Sequence, residues 1–188
     1  ASLLSINSDG YIYFNSVPDY ETQTSYSFTV NVSDGTNTDS LAMGISIDNV
    51  NDNNPVFASS TTFFAAENQT SIGTVIATDA DGNTVSYSLS GTDASALTIN
   101  SSTGVLTFIE NPDYETKNSY TVTVTASDGS LSTTQNITVN VTDVNDSPIF
   151  SSSATLSAAE NQTSIGTVIA TDADGNTVSY SLSGTDAS

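Results

Sequence analysis

The sequence lacks the side chains on which most catalytic and redox sites depend. Its 188 residues include no histidine, cysteine, tryptophan or arginine, and Lys117 is the single basic side chain. A Ser/His/Asp or Cys/His arrangement therefore cannot form, and Lys117 is the one side-chain amine that could assist a nucleophile. The absence of cysteine also excludes disulfides and thiolate metal sites. The composition indicates a protein without enzymatic activity.

The near absence of basic residues excludes two classes of partner. The chain carries 21 acidic residues and a formal net charge of −20. Nucleic acid is excluded because phosphate binding requires a basic surface, and an anionic membrane surface is disfavoured for the same reason. The apolar segments are short and interrupted by Thr, Ser and Asn, whereas a bilayer is spanned by roughly 20 apolar residues. We expect no membrane insertion in this segment.

Regular alternation of apolar and polar residues argues against a disordered acidic tail. The segments "YTVTVTA" at 120–126 and "NITVNVT" at 136–142 alternate with a period of two, which is typical of half-buried strands. No segment sustains a period of 3.6, and recurrent Asp-Gly pairs are typical of tight β-turns. The pattern predicts an all-β protein built of Greek-key, Ig-like β-sandwiches of about seven strands each.

The chain contains an internal sequence repeat. The segment at 65–95 recurs letter for letter at 158–188, and "PDYET" at 18–22 recurs at 112–116. Repeats of this kind predict stacked units, so successive sandwiches should form a rod. The predicted domains are the C-terminal part of one repeat at 1–57, a complete repeat at 58–150 and the N-terminal part of a further repeat at 151–188.

Two interpretations of the flanking partial repeats stay open. The first is that the chain is a window of a longer repetitive protein. The second is that it is a subunit whose two half-domains complete each other head to tail. An exposed sheet edge is an aggregation liability, so a lone half-domain is not expected to persist unpaired.

The acidic residues of the complete repeat are clustered in five short motifs. These are "AEN", "DADG", "PDYE", "SDG" and "DVND", and they lie before, between or after the predicted strands. Two like charges about 4 Å apart repel by roughly 1 kcal/mol in water, and by more when they are shielded from it. Ca²⁺ would relieve this repulsion, since it takes carboxylate, amide and carbonyl oxygens and needs neither His nor Cys.

The five motifs, in this order and present twice, resemble the cadherin extracellular repeat in the form of bacterial-type cadherin-like tandem repeats. In that family the motifs converge at the junction between successive domains and hold calcium. A "DADG" motif alone would be only a hairpin turn, whereas the ordered set covers the whole chain. The family's adhesive strand with its tryptophan anchor has no counterpart, because the chain contains no Trp.

The resemblance implies a calcium centre at each of the two junctions, where the family holds three calcium ions. At the first junction it implies backbone carbonyls of Val50 and Asn53 and a set of oxygen-bearing side chains: Asp19, Glu21, Asn51, Asp52, Asp79, Asp81 and Asp128. At the second it implies carbonyls of Val144, Ser147 and Asn176 and a second set: Glu67, Asp113, Glu115, Asp143, Asn145, Asp146, Asp172 and Asp174.

The sequence departs from the family pattern at Asn49, where an aspartate is usual. We expect weaker binding of the middle ion at the first junction unless the adjacent Asp48 substitutes. In the complete repeat, Asp93 and Glu110 are the two acidic residues left outside the motifs.

These observations predict a calcium-stiffened extracellular structural or adhesion segment, such as a stalk, an adhesin or a fibre subunit. The expected partners are neighbouring repeats or copies of the same chain, and a cell-surface or polysaccharide ligand. Two alternatives stay open: a metal-independent Ig-like spacer, and a carbohydrate-binding sandwich with exposed aromatic residues on one face. A glycosidase with paired carboxylates is disfavoured, because its pocket normally occurs once whereas these acidic motifs are duplicated.

Overall fold

A computed structural model describes residues 3–186 and confirms the all-β prediction. Within this range the helical structure is one turn of 3₁₀ helix at Ala94–Ala96. No segment of the described chain forms a helix long and apolar enough to cross a membrane. The strands, numbered along the chain, are β1 (Leu4–Ile6), β2 (Ile12–Phe14), β3 (Ser25–Ser33), β4 (Thr38–Ser46), β5 (Val56–Phe57), β6 (Thr62–Ala66), β7 (Ser71–Thr74), β8 (Ala77–Thr78), β9 (Ser86–Ser90), β10 (Leu97–Ile99), β11 (Val105–Phe108), β12 (Ser119–Ser127), β13 (Ser132–Thr142), β14 (Ile149–Phe150) and β15 (Ala170–Thr171).

The middle of the chain forms a two-sheet sandwich. One sheet has the strand order β6, β13, β12, β9, and the other has the order β10, β11, β7. The pair β6 and β13 is parallel, and the other pairs are antiparallel. The alternation that predicted β12 and β13 is observed, since Val122, Val124, Ile137 and Val139 are buried at every second position. These side chains meet Leu106 of the opposite sheet in one core.

The segment at 3–46 forms two hairpins with the geometry of the sandwich strands β10 to β13. Strands β3 and β4 pair in the same register as β12 and β13, so that Ser25 lies opposite Ser46 as Ser119 lies opposite Asn140. The rings of Phe14 and Tyr26 meet edge-on at 4.9 Å, as those of Phe108 and Tyr120 do at 5.0 Å. The local conformation of the C-terminal half of a repeat is therefore present in this segment without the N-terminal half.

Short strand pairs position each linker beside the loop of the next repeat. Strand β5, which follows the first linker, pairs with β8, and β14 pairs with β15 in the same way after the second linker. Pro55, just before β5, is fully buried. Because β8 and β15 lead directly into the two "DADG" loops, this pairing brings the acidic linkers at 47–55 and 143–148 against those loops.

Candidate metal centres at the two junctions

The structure gathers acidic side chains from three separate motifs at the first junction and from four at the second. At the first junction, carboxylate oxygens of Glu21, Asp52 and Asp81 all lie within 4.8 Å of one another. At the second junction there are two such groups, which share a residue. One contains Glu67, Glu115 and Asp146, and the other contains Glu115, Asp143 and Asp174.

The other predicted ligands lie in the same motifs but outside these three carboxylate groups. Their loops are ordered by their own side chains. Asp128, for example, accepts hydrogen bonds from the backbone N–H groups of Ser130 and Leu131 at 2.6 and 2.7 Å through its Oδ1. The residues concerned are Asp19, Asn51, Asp79, Asp113, Asp128, Asn145 and Asp172.

Glu67 is the buried member of the second junction, with 3% of its surface exposed. Its Oε2 accepts a hydrogen bond from the N–H of Tyr114 at 2.9 Å, and its Oε1 accepts one from the N–H of Val144 at 2.7 Å. A buried charge is tolerated only when it is paired or hydrogen-bonded. Glu67 therefore ties the "PDYE" loop and the start of the linker to the end of β6.

Several oxygens at the junctions are buried and accept no hydrogen bond. In the described part of the chain five buried side-chain atoms lack a partner, and four of them belong to the predicted ligand set. A buried acceptor without a donor is costly, at about 1 to 3 kcal/mol, and native structures contain few of them. A hard divalent cation would satisfy such oxygens, so the residues fit the ion that the resemblance implies. The four atoms are Asn51 Oδ1, Asp79 Oδ2, Asp128 Oδ2 and Asp174 Oδ1.

Crowding of like charges shifts titration at the second junction. The pKa of Asp143 is raised above its ordinary value chiefly by the adjacent Asp174 carboxyl, and further by desolvation and by other neighbouring charges. For Glu115, a hydrogen bond from its own backbone N–H favours the charged form. Desolvation and the charges of Glu67, Asp174 and Asp143 outweigh that bond and raise its pKa. The acids of this junction therefore raise one another's pKa values.

Burial and neighbouring groups also shift the pKa values of two acids at the first junction. Desolvation raises the pKa of Glu21, and a hydrogen bond shared with the Asp81 carboxyl raises it further. For Asp81, burial favours the neutral form, but hydrogen bonds from the side chain and backbone of Asn53 outweigh it and lower the pKa. A carboxylate that is held ionised beside another acid is suited to bind a cation.

Each linker is also tied to the following repeat by a backbone hydrogen bond. The N–H of Asp146 donates to Asp174 Oδ2 at 2.7 Å, and the N–H of Asn53 donates to Asp81 Oδ2 at 2.9 Å. The Asn53 amide also donates to Asp81 Oδ1 at 3.0 Å. Both junctions thus anchor the linker to the second acid of the "DADG" loop, although the donor at the first junction, Asn53, lies one position after the counterpart of Asp146.

Two asparagines have roles at the second junction that the sequence patterns did not predict. Asn68 adopts a left-handed backbone with φ of 61°, and its amide donates to Asp146 Oδ1 at 3.0 Å. Asn and Asp tolerate this conformation better than most residues. Its position in the "AEN" motif is the signal that could have identified it. Asn176, predicted as a carbonyl ligand, also donates its side-chain amide to Asn145 Oδ1.

The first junction differs at the position of Asn49. Its side-chain amide donates to the backbone carbonyl of Asp81 at 2.8 Å, so that a donor replaces the expected carboxylate. Within residues 3–186, Asp48 joins none of the close carboxylate groups. The first junction therefore has one negative charge fewer than the second, where Asp143 occupies the equivalent position.

We expect Asn49→Asp to strengthen calcium binding at the first junction by about tenfold, which corresponds to about 1.4 kcal/mol. The change restores a negative ligand but removes the amide donor to the Asp81 carbonyl. The metal-free variant should therefore be less stable than the parent chain. Isothermal titration with calcium and thermal unfolding in EGTA would measure the two effects. Unchanged affinity together with unchanged metal-free stability would contradict this role for position 49.

Asp93, left outside the acidic motifs, pairs with the only cation of the chain. Its Oδ1 contacts Lys117 Nζ, and its Oδ2 accepts a hydrogen bond from the N–H of Thr121 at 2.8 Å. The Lys117 ammonium also lies 4.6 Å from the centre of the Tyr120 ring. The hydrogen bond from Lys117, followed by that from Thr121, holds the pKa of Asp93 below its ordinary value.

We expect Lys117→Met to cost at most about 1 kcal/mol of stability at neutral pH, because the lysine is partly exposed and solvent screens the pair. A lowered pKa contributes stability above the unfolded value near 3.8, and this contribution is lost as the pH falls through the folded value. The difference between the variant and the parent should therefore disappear in acid. Urea unfolding at neutral pH and below pH about 3 would measure it, and a difference that persisted in acid would assign the effect to packing on Tyr120.

A family model described as "Cadherin domain" matches residues 61–142. Among curated proteins, the chain is 35% identical over 184 residues to mouse cadherin EGF LAG seven-pass G-type receptor 1, a match that covers 89% of the chain and 6% of the receptor. It is 36% identical over 152 residues to human protocadherin Fat 1, which covers 72% of the chain and 3% of that protein. The chain thus spans a small fraction of the length of these relatives.

Solved structures with the same architecture are of cadherin ectodomains. The mouse cadherin-23 EC22-24 structure matches with a TM-score of 0.65 and 30% identity, covering 91% of this chain and 61% of that one. The structure of protocadherin gamma B2 extracellular cadherin domains 3-6 matches with a TM-score of 0.68 and 28% identity, covering 90% and 48%. Both matches extend beyond residues 61–142, to the flanking partial repeats.

Proposed function

Because the chain belongs to the cadherin family, with a cadherin domain at residues 61–142, we propose that it is a calcium-stiffened segment of an extracellular stalk, adhesin or fibre. The family relationship places it outside the cell or at the cell surface, in a tandem-repeat protein of β-sandwich domains. Its role in this proposal is mechanical rather than catalytic. The expected partners are neighbouring repeats or copies of the chain, and a surface or polysaccharide ligand remains a prediction.

The observation that carries the proposal is the set of buried, unpaired oxygens at the two junctions. Asp128 and Asp174 each use one carboxylate oxygen to order a loop or anchor a linker, while the other oxygen is buried without a donor. A simple hairpin turn would not bury a carboxylate oxygen without a donor. An acid that only caps a turn can point its second oxygen into solvent. Support also comes from the acids themselves, since the neighbouring Asp174 carboxyl raises the pKa of Asp143, and desolvation followed by the Asp81 carboxyl raises the pKa of Glu21.

A cation bound at a junction would be held by residues from both sides of the linker. At the second junction, Glu67 and Glu115 belong to the complete repeat, Asp143 and Asp146 to the linker, and Asp174 to the following repeat. Calcium would supply positive charge that cancels the repulsion between these acids. Because its ligands come from two domains, its binding energy would oppose bending at the junction. Extracellular calcium modules often bind at about 10⁻⁴ to 10⁻³ M, so a calcium-rich exterior would fill the sites.

A calcium titration followed by calorimetry tests this function directly. The proposal predicts saturable binding by the 188-residue chain, with two classes of site because the junctions differ at Asn49 and Asp143. Lanthanide luminescence excited through nearby tyrosines would report the same sites independently. Absence of saturable binding at millimolar calcium would overturn the proposal and favour a metal-independent Ig-like spacer.

A further inference from the structure

The complete repeat contains two Asp-Gly pairs, and both lie at the first junction. Asp81–Gly82 ends the "DADG" loop after β8, and Asp128–Gly129 lies in the turn between β12 and β13. An aspartate before glycine is open to an intramolecular reaction, because glycine has no Cβ to shield its backbone nitrogen from the preceding carboxyl group. Both glycines have room, since an added Cβ would meet nothing within 4 Å at either position. What distinguishes the two pairs is how hydrogen bonds hold the reacting groups.

The Asp128 carboxyl group is held by its own turn. Its Oδ1 accepts hydrogen bonds from the N–H groups of Ser130 and Leu131 at 2.6 and 2.7 Å. The nitrogen that would attack this carboxyl group, that of Gly129, donates its N–H to Ser127 Oγ at 3.1 Å. These bonds lie within one hairpin turn and need no contact with the linker. We therefore expect this pair to stay protected whether the junction is open or closed.

The Asp81 carboxyl group, in contrast, is held from the other side of the junction. Its Oδ2 accepts a hydrogen bond from the N–H of Asn53 at 2.9 Å, and its Oδ1 accepts one from the Asn53 side-chain amide at 3.0 Å. Asn53 belongs to the linker, as does Asp52, and Glu21 of the same carboxylate group belongs to the preceding repeat. Asp81 is 9% exposed while these contacts last. Opening of the junction therefore frees this carboxyl group but not that of Asp128.

Asn49 holds the peptide group between Asp81 and Gly82. Its side-chain amide donates a hydrogen bond to the Asp81 carbonyl oxygen at 2.8 Å. The attack requires rotation about the Cα–C bond of Asp81, which moves this carbonyl and brings the Gly82 nitrogen towards the carboxyl carbon. The bond from Asn49 opposes that rotation, while the bonds from Asn53 hold the carboxyl group in place. Asn49 and Asn53 thus form a linker clamp that holds both reacting groups.

We propose that Asp81–Gly82 is a site of isoaspartate formation, which the linker clamp of Asn49 and Asn53 suppresses while the junction is closed. In the open junction the Gly82 nitrogen bonds to the Asp81 carboxyl carbon, and the carboxyl hydroxyl leaves with the amide proton as water. Water then opens the resulting five-membered imide at either carbonyl, which restores aspartate or gives isoaspartate of the same mass. The reaction needs no oxidant or other reagent, and local opening of the native chain is what permits it.

Isoaspartate at position 81 would make the opening of the first junction permanent. The backbone gains a methylene group, and the former side-chain carboxyl group, which Asn53 held, becomes part of the chain. The free carboxylate is then the former backbone carbonyl group, which Asn49 held. Both contacts of the linker clamp are lost, together with the carboxylate that lies beside Glu21 and Asp52. If calcium closes the junction, as the proposed function holds, a temporary loss of calcium would thus leave a lasting hinge.

The experiment incubates the purified 188-residue chain, Asn53→Ala and Asn54→Ala for several weeks in EGTA at neutral pH. Peptide mapping with electron-transfer fragmentation then measures isoaspartate at each Asp-Gly pair. Asn54 provides the matched control, because it is the exposed neighbouring asparagine of the same linker. We expect isoaspartate at position 81 to form about tenfold faster in Asn53→Ala than in the parent chain, since a hydrogen bond to a charged group is lost. Asn54→Ala should react at the parental rate, and position 128 should stay slow in all three proteins.

Position 128 also serves as an internal control for unfolding, because a variant that simply unfolded would form isoaspartate at both positions. Equal rates at position 81 in the three proteins would overturn the proposal, as would a rate at position 128 that matched the rate at position 81 in the parent chain.

A parallel incubation in calcium separates this inference from the proposed function. We expect calcium at about ten times its dissociation constant to slow the reaction of the parent chain at position 81 by about tenfold. If calcium had no effect while Asn53→Ala still accelerated the reaction in EGTA, the linker clamp would be supported and the calcium function would be contradicted.

Discussion

Chelation of calcium should loosen both junctions while the central sandwich remains folded. The core of this sandwich is formed by apolar residues such as Leu106 and Ile137. The linkers, in contrast, are held by hydrogen bonds to acids whose charges repel one another when no cation is present. Each site filled to 100 times its dissociation constant adds about 2.7 kcal/mol to the folded state, so that removing calcium withdraws this amount for each site.

Small-angle scattering of the purified chain would measure the change. In calcium we expect the profile of a stiff rod, and in EGTA a profile that indicates a flexible chain with a smaller average maximum dimension. Magnesium at the same concentration serves as the control, because it demands stricter octahedral geometry and gives up its waters reluctantly. Identical scattering and melting with and without EGTA would support the metal-independent spacer instead.

Substitution of Glu67→Gln should abolish calcium binding at the second junction and destabilise the chain by about 1 to 3 kcal/mol in EGTA, and by more in calcium. The loss has two physical sources. The charge that would face the cation is removed, and the two backbone donors of Tyr114 and Val144 can no longer both be satisfied, because one side-chain oxygen becomes an NH₂ group. A buried donor left without an acceptor costs about 1 to 3 kcal/mol. Calorimetry and thermal unfolding would measure the binding and the stability.

Glu110→Gln provides the matched control. It makes the same chemical change in the same repeat, but Glu110 is exposed and lies outside the three carboxylate groups. We expect unchanged calcium affinity and a stability within about 0.5 kcal/mol of the parent chain, as is usual for surface substitutions. If both variants lost calcium equally, general charge rather than a specific site would explain the binding. If neither did, Glu67 would be a structural residue alone.

The fold was predictable because each local signal agreed with the others. Alternation in "YTVTVTA" and "NITVNVT" predicted β12 and β13, and the observed burial of Val122, Val124, Ile137 and Val139 follows that alternation. Agreement between local pattern and global fold is what a foldable sequence requires. The acidic motifs were likewise predicted to meet, and the structure brings eight of the predicted ligands into three groups.

The details of the site were not predictable, since they depend on side-chain directions that spacing does not determine. Whether the amide of Asn49 offers its oxygen or its NH₂ group depends on the nearby carbonyl of Asp81, which is distant in sequence. Asn68 reaches Asp146 only because of its left-handed backbone, which no motif spacing encodes. Asp93 was left outside the motifs, and its pairing with Lys117 depends on β12, which places Thr121 beside it.

Lys117 also bears on the durability of the chain outside the cell. Proteases that use an acidic specificity pocket cut after lysine or arginine, and the 188 residues offer them this one position. It lies in a closed turn, where its N–H donates to the Asp113 carbonyl at 2.9 Å and its ammonium is engaged by Asp93. Cleavage requires local opening of such a segment. Trypsin-like digestion would therefore leave the folded chain intact, and a single nick would report the opening of that one turn.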